Sequence, residues 1–357
     1  MAEIRIGKRL VGDGHPTYFI ADIAANHDGS LERAKLLIRL AAEAGADAAK
    51  FQHFQAPKIV SDYGFRAFGR QLSHQASWKK PVYQVYEEAS IPWEWTPYLK
   101  EECEKWDIDF FSSPYDYDAV DHIEPYVEVY KAGSGLISWP QLLVYMAQKG
   151  KPVIMASGAA DIGDVARAVR MVREVSDQVA LLQCNTNYTA SEENFDHIHL
   201  NVLKTYKTMW PDVVVGISDH TRGLAVVLGA VALGARIVER HFTDDNDREG
   251  PDHKFATNPD EWALMVEETR KLERALGSAD KFVAGNEQDT YLVQRRCLRA
   301  ARDIKAGEVI TREMIDVLRP NVPGAIQAWE MDAVIGTKAL RDIPQGDALR
   351  WVDVGRP

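Results

Sequence analysis

The sequence predicts an α/β fold: a (β/α)₈ TIM barrel followed by a small β-rich domain, in a chain of 357 residues. Three observations carry this expectation. Eight short apolar runs, beginning near residues 18, 48, 109, 128, 153, 180, 213 and 236, alternate with segments of helical periodicity. Nearly every run ends in polar, chemically capable side chains, as strands do when their carboxyl ends share one rim. After residue 280 the character changes to short strands separated by Gly and Pro turns. An open doubly wound sheet has the same local pattern, but eight regular repeats favour closure.

Taken in order, Ile4 to Gly14 reads as a hairpin turning at Val11-Gly-Asp-Gly14. Tyr18–Asp22 is the first barrel strand, and Ala24–Asp28 is a polar loop. Ser30 is suited to cap the next helix, whose apolar residues Ala34, Leu37, Ile38 and Ala41 recur at helical spacing. Gly45 stops it, and Ala48–Gln52 is the second strand. The stretch from Gln55 to Ile91, rich in aromatics and charge, shows no clear element and reads as a long functional loop.

Trp95–Trp106 then reads as a helix, Ile108–Ser113 as a strand, Tyr117–Ile123 as a helix and Val127–Lys131 as a strand. Pro140 opens the next helix, Pro152–Met155 is a strand, Ile162–Val172 is amphipathic, and Val179–Gln183 is the sixth strand. Val213–Val215 and Arg236–Val238 begin the last two, joined by an Ala/Leu/Val-rich crossover from Leu224 to Gly234. Trp262–Leu276 closes the ring. The predicted boundaries are 1–280 for the barrel, 281–292 for a polar linker and 293–357 for the small domain. In the latter, Ala300–Glu308 and Gly336–Asp347 share one phrase, an alternating run, then Asp-Ile and a Gly turn.

The balance of 42 basic to 53 acidic residues gives a net charge of −11, without any basic run. That argues against nucleic acid or an anionic membrane as partner. No long apolar stretch or signal-like start is present, and three scattered cysteines suit a reducing compartment, so a cytoplasmic protein is expected.

The rim carries the chemistry. The strand ends supply Asp22 with Asn26, Lys50 with Gln52, Ser113, Lys131, Ser134, Ser157, Thr186 with Tyr188, Ser218 with His220, and Glu239 with His241. Two lysines in one mouth repel each other unless an anion lies between them, which points to a phosphate or carboxylate ligand. His220 and His241 end two adjacent parallel strands and therefore sit side by side. Two imidazoles with carboxylates nearby are donors for a divalent transition metal, and Asp252 in Gly250-Pro-Asp-His253 can order a ligand or water.

These residues fall into motifs: Ala21-Asp-Ile-Ala-Ala-Asn-His-Asp-Gly-Ser30, Ala49-Lys-Phe-Gln52, Phe111-Ser-Ser-Pro114, Tyr130-Lys-Ala-Gly-Ser134, Gly216-Ile-Ser-Asp-His-Thr221, Glu239-Arg-His-Phe-Thr243 and Gly250-Pro-Asp-His253. In order and spacing they resemble the sialic acid synthase family. The carboxy-terminal part, above all Arg295–Glu308, is similar to that family's antifreeze-like (SAF) domain.

The resemblance implies a transferase that condenses phosphoenolpyruvate with an open-chain N-acylated aminosugar. The product is a nine-carbon 3-deoxy-2-keto (nonulosonic) acid, and phosphate is released. It implies a divalent metal, Mn or Mg, held by His220 and His241. It places Lys50, Ser113, Lys131, Ser134, Ser157 and Ser218 on phosphoenolpyruvate, Tyr188, Asp252 and the Thr186 region on the sugar, and carboxylate chemistry on Asp22. It also implies a homodimer in which each SAF domain caps the partner's barrel.

Three departures stand out. Asp22 replaces the family's Glu and is one methylene shorter. Ala156 leaves Ser157 as the single hydroxyl of that turn. Val322 stands where the family's Arg reaches the acyl group, with Arg319 nearby. The competing expectations are another phosphoenolpyruvate-dependent 3-deoxy keto acid synthase, or a sugar-binding relative without activity.

Overall fold

A computed structural model describes residues 1–355. Two compact units, Met1–Gly277 and the remainder from Ser278, divide the chain.

The first unit opens with an antiparallel hairpin, β1 (Glu3–Ile6) and β2 (Arg9–Gly12). The turn lies at Gly7-Lys8, not at Val11–Gly14, because Gly7 supplies the left-handed φ of 53° that a tight turn needs. Then come β3 (Tyr18–Asp22), α1 (Leu31–Glu43) and β4 (Ala48–His53). Ser30 caps α1 by accepting from the Arg33 amide. The stretch after β4 corrects the sequence expectation: it folds into α2 (Ala56–Ile59), α3 (Asp62–Ala67), a 3₁₀ turn at Ser73–Ser77 and α4 (Val82–Ala89). These pieces are too short to show an apolar period.

The alternation resumes with α5 (Thr96–Lys105), β5 (Asp109–Pro114), α6 (Tyr117–Ile123), β6 (Tyr130–Ala132), α7 (Pro140–Gln148), β7 (Val153–Ala156), α8 (Ile162–Arg173) and β8 (Val179–Cys184). It ends with α9 (Val202–Met209), β9 (Val214–Asp219), α10 (Ala225–Ala232), β10 (Ile237–His241) and α11 (Pro259–Leu276). The β6 ladder starts three residues later than the apolar run suggests, although Val127 and Val129 are buried.

Strands β3 to β10 form one parallel sheet in the order β5-β4-β3-β10-β9-β8-β7-β6, and its end strands β5 and β6 lie against each other. The sheet thus curls into a barrel. Period-two alternation splits each strand between two cores. Phe19, Ala21, Phe51, Phe110, Met155, Leu181 and Ile217 face the helices, packing with Leu37, Leu99, Leu142, Val169 and Trp262. Tyr18, Ile20, Ala48, Phe111, Val129, Ile154, Leu182 and Ile237 face inward. Ile4, Ile6 and Val11 of the hairpin join that inner cluster, so β1–β2 stops the amino end of the barrel. The inward register then continues to Asp22, Lys50, Lys131, Ser218 and Glu239 at the opposite end. Among the described residues no helix is long and apolar enough to cross a membrane.

In the second unit the polar stretch expected as a linker forms a 3₁₀ turn and α12 (Gln288–Gln294). Strands β11 (Cys297–Ala300) and β12 (Ile315–Leu318) pair antiparallel, and a short α13 (Met331–Val334) follows. The two similar phrases face each other: Ile304 and Ile343 exchange backbone hydrogen bonds of 2.8 Å in each direction. Both isoleucines are buried in a core with Leu298, Ile310, Ile326 and Leu349.

Candidate active site

At the carboxyl end of the barrel, Asp22, Lys50, Gln52, Lys131, Ser134, Thr186, Tyr188, Ser218, His220, Glu239 and His241 line one cavity of about 470 Å³. The two lysines do not wait for an external anion, which corrects the argument from repulsion. The Lys50 ammonium lies 2.6 Å from Asp22 and 4.0 Å from Glu239, while Lys131 lies 3.2 Å from Glu239. The protein's own carboxylates balance the two ammonium groups. Ser218 donates to Glu239 at 3.1 Å, and Lys50 reaches the Ser113 hydroxyl at 3.5 Å.

All four charged groups are buried. Burial works against the Glu239 carboxylate, but Lys131 and Lys50 outweigh it and hold its pKa at about 2. Burial also opposes the charge on Lys50, where Asp22 and Glu239 prevail and raise it. For Lys131 burial prevails and lowers it, Glu239 opposing and Lys50 reinforcing the shift. Burial raises Asp22 in spite of Lys50. The mouth thus holds one firmly ionised carboxylate and one that takes a proton more readily.

His220 and His241 stand beside this set with ring centroids 5.4 Å apart. The Nδ1 of His220 lies 2.9 Å from the Asn185 carbonyl, which can only accept. That fixes a proton on Nδ1, and Nε2 offers its lone pair when the ring is neutral, a state that burial favours while Cys184 and the Asn185 carbonyl prevail and raise the pKa. In His241, Nε2 lies 3.5 Å from Asp22, and Nδ1 is buried without a hydrogen-bond partner, 4.0 Å from Asp252. Burial, partly opposed by Asp252, lowers the His241 pKa to about 3, so this ring is neutral at ordinary pH. An available lone pair on each of two neighbouring imidazoles fits a divalent ion. Among the described residues no three His, Cys, Asp or Glu side chains converge as a ligand cluster.

Gly158 shapes the side of the cavity that carries Ser134 and Thr186. A Cβ there would fall 1.8 Å from the Thr186 hydroxyl and 2.8 Å from that of Ser134, so only glycine lets both reach the cavity.

Two expected ligands face elsewhere. Ser157 continues the outward register of Val153 and Met155; its hydroxyl donates to the Leu182 carbonyl at 2.9 Å and accepts from Tyr206 at 2.9 Å. It braces the helix layer and does not line the cavity. Asn26 donates its amide to the Phe242 carbonyl at 2.9 Å and holds the first loop. Ser113 is buried under Lys50, and Asp252 lines an adjoining lobe. Arg319 belongs to the second unit.

Sequence reasoning missed His74 and Tyr86 from the short helices after β4, Tyr115 and Trp139, all of which line the cavity. Tyr115 directly follows the Phe111–Pro114 motif and was legible from it; the other three carried no periodic signal. The Tyr188 ring packs 4.5 Å from His220, 4.8 Å from His74 and 5.9 Å from His241, centroid to centroid.

A closed β/α barrel with buried ammonium–carboxylate pairs and two imidazoles in its mouth defines a barrel protein with a charged cavity of small-molecule size. Comparison with known proteins gives the family. Residues 37–281 match the model of the NeuB family, and residues 295–355 that of the SAF domain. An uncharacterized protein of Methanocaldococcus jannaschii is 34% identical over 99% of each chain. The N,N'-diacetyllegionaminic acid synthase of Campylobacter jejuni is 31% identical over 94% of this chain and 99% of its own. Human N-acetylneuraminate-9-phosphate synthase is 31% identical over 96% of this chain and 93% of its own. The crystal structure of N-acetylneuraminic acid (sialic acid) synthetase from Leptospira borgpetersenii, in complex with citrate, superposes with a TM-score of 0.70 at 28% identity, covering 81% of this chain and 96% of that one. The chain belongs to the NeuB family of nonulosonic acid synthases.

Proposed function

We propose that this protein condenses phosphoenolpyruvate with an open-chain N-acylated aminosugar to give a nine-carbon 3-deoxy-2-keto acid and phosphate. The observation that carries the reading is the pair of buried lysines, each held by a carboxylate, beside two imidazoles at the ends of adjacent strands. Citrate, the ligand of the Leptospira relative, is a small polyanion of the kind such lysines hold.

The residues divide the work. Lys50 and Lys131 exchange their own carboxylates for the carboxylate and phosphate of phosphoenolpyruvate, with Ser134, Thr186 and Ser218 supplying hydroxyl donors. The exchange frees Asp22 and Glu239 to handle protons. The C3 carbon of phosphoenolpyruvate attacks the sugar aldehyde, forming the C–C bond and a cation at C2. Water adds to C2, and phosphate leaves by C–O cleavage. One proton must leave the adding water and one must reach the new hydroxyl; the water's other proton departs with the phosphate as the C2 keto group forms. Glu239, released from the lysines that hold its pKa at about 2, becomes the stronger base and is suited to accept the first. Asp22, raised by burial and 3.5 Å from His241, is suited to deliver the second. His220 and His241 would hold a divalent Mn or Mg ion, which when bound polarises the aldehyde. The protein acts as a homodimer, with Arg319 or the Pro323-Gly324 turn of each SAF domain serving the partner's sugar site.

The test is phosphate release from phosphoenolpyruvate across a panel of N-acylated aminosugars, with the keto acid product identified by mass. Release that no aminosugar stimulates would refute the reading.

A further inference from the structure

A groove of about 820 Å³ opens at the other end of the barrel from the candidate active site. Three pieces of chain enclose it: residues 14–16 between β2 and β3, Arg236 at the entry to β10, and the last turns of α11. Arg236 stands one strand's length before His241, so about 16 Å separates the groove from the imidazoles. On α11, Glu267, Arg270, Lys271 and Arg274 recur at spacings of three and four and so share one face. Four cationic side chains, Arg236, Arg270, Lys271 and Arg274, meet two carboxylates, Glu267 and Glu273. That is an excess of two positive charges, on a chain whose net charge is −11.

Two of the cations are already engaged. Arg270 pairs with Glu273 at 3.0 Å and donates to the Thr17 carbonyl at 2.9 Å, while Lys271 lies 2.7 Å from both Glu267 and Glu268. The other two are not. Arg236 makes a single hydrogen bond, from Nη1 to the Ala235 carbonyl at 3.1 Å, and its Nε is buried without a partner. Arg274 makes no hydrogen bond or ion pair among the described residues. Guanidinium donors left unmet beside an open groove are planar forks of the shape that phosphate oxygens fit. We propose that this groove binds a phosphorylated small molecule, held at its phosphate by Arg236 and Arg274. Inorganic phosphate fills only a small part of such a volume. Glu267 keeps one oxygen free of Lys271 to accept from a hydroxyl, and Pro16 and Leu276 offer apolar contact. The rest of the ligand is therefore uncharged and hydroxylated, as in a nucleotide or a sugar phosphate. The carboxyl end of α11 opposes an anion, but that field fades within a turn and is weaker than two charge-assisted contacts. An occupant of the groove leaves the barrel mouth open.

The test titrates the full-length protein with inorganic phosphate, uridine 5′-monophosphate, glucose 6-phosphate and, as a control without phosphate, uridine. Calorimetry reads the affinity and amide exchange reads the place. The expected result is one site per chain for the nucleotide or the sugar phosphate, about 10-fold or more tighter than for inorganic phosphate, and none for uridine. Whichever of the two larger probes binds identifies the source of the phosphate. Protection should appear in peptides covering residues 14–17 and 267–277 and not in those of the mouth. Arg236→Gln and Arg274→Gln should each weaken the binding about 10-fold or more. Arg274 is exposed and supports no other group, so its variant folds even if the half-buried Arg236 proves necessary for stability. Four outcomes overturn the site: no binding of either larger probe, binding no tighter than that of inorganic phosphate or uridine, protection confined to the mouth, or an affinity that Arg274→Gln leaves unchanged.

Discussion

Replacing Lys50 by methionine removes an ammonium that lies 2.6 Å from Asp22 and 4.0 Å from Glu239. At an effective dielectric constant of about 20, these contacts amount to about 6 and about 4 kcal/mol of attraction. Burying the lysine itself costs several kcal/mol, so the net loss is smaller. Stripping a buried pair of one partner costs about 3–5 kcal/mol, and that is the destabilisation expected. Methionine keeps the stem volume, so packing contributes little. Two signatures separate charge from packing. Burial already raises Asp22 against the pull of Lys50, and without that pull it goes higher. A carboxyl raised in the folded state favours folding at low pH and loses that contribution as pH climbs through the folded value. The variant therefore regains stability relative to the parent as pH falls through that folded value toward the ordinary carboxyl range. The second signature is that Lys50→Met combined with Asp22→Asn is more stable than Lys50→Met alone, because no bare carboxylate remains. The assay is urea unfolding across that pH range. Amide protection of the Tyr18–Asp22 and Ile237–His241 peptides should report the barrel, since two compact units need not unfold together. An unchanged midpoint at pH 7, or a double variant weaker than the single one, would refute the reasoning.

Four further outcomes follow. Gly158→Ala drives a methyl into Thr186 and Ser134, so the KM for phosphoenolpyruvate should rise about 10-fold or more and stability fall by about 1–3 kcal/mol; normal values of both contradict the packing described. His53, buried between Ser112 and Thr96, is held neutral to about pH 3 by burial and by His122. The unfolded chain takes up that proton below about pH 6.5, so acidification should cost about 1.4 kcal/mol per pH unit, and His53→Asn should flatten the slope by one proton; parallel slopes exclude the assignment. His241→Ala should weaken Mn binding, measured by equilibrium dialysis, by more than the roughly 10-fold typical of losing a ligand's support, and unchanged binding removes His241 from the metal site. Mixing a Lys131→Met chain with a chain lacking residues 290–357 should restore activity that neither shows alone; mixed dimers without activity, beside a fully active truncated chain, would rule out reciprocal capping.

The barrel was legible because its strands are buried on both faces, which writes each one as a short apolar run that local composition cannot hide. Position along those runs also announced the rim: Lys50, Lys131, Ser218 and Glu239 all stand in the inward register, and the paired histidines follow from two consecutive strands. Ser157 was open to the same logic, since it shares parity with Val153 and Met155, and that parity turns it toward Tyr206. Charge neutrality of the mouth was not legible. Asp22 and Lys50 are register partners on adjacent strands and were as legible as the histidines, but Lys131 meets Glu239 only when strands 108 residues apart in sequence close into one ring. The part of the cavity wall that follows β4 was hidden for a different reason: α2 to α4 are too short to carry a period, and their residues acquire a shared wall only by packing over Tyr115 and Tyr188. Sequence alone thus determined which groups stand at the strand ends, because alternation is local. The tertiary structure decided which of them neutralise one another across the barrel, because closure sets those distances.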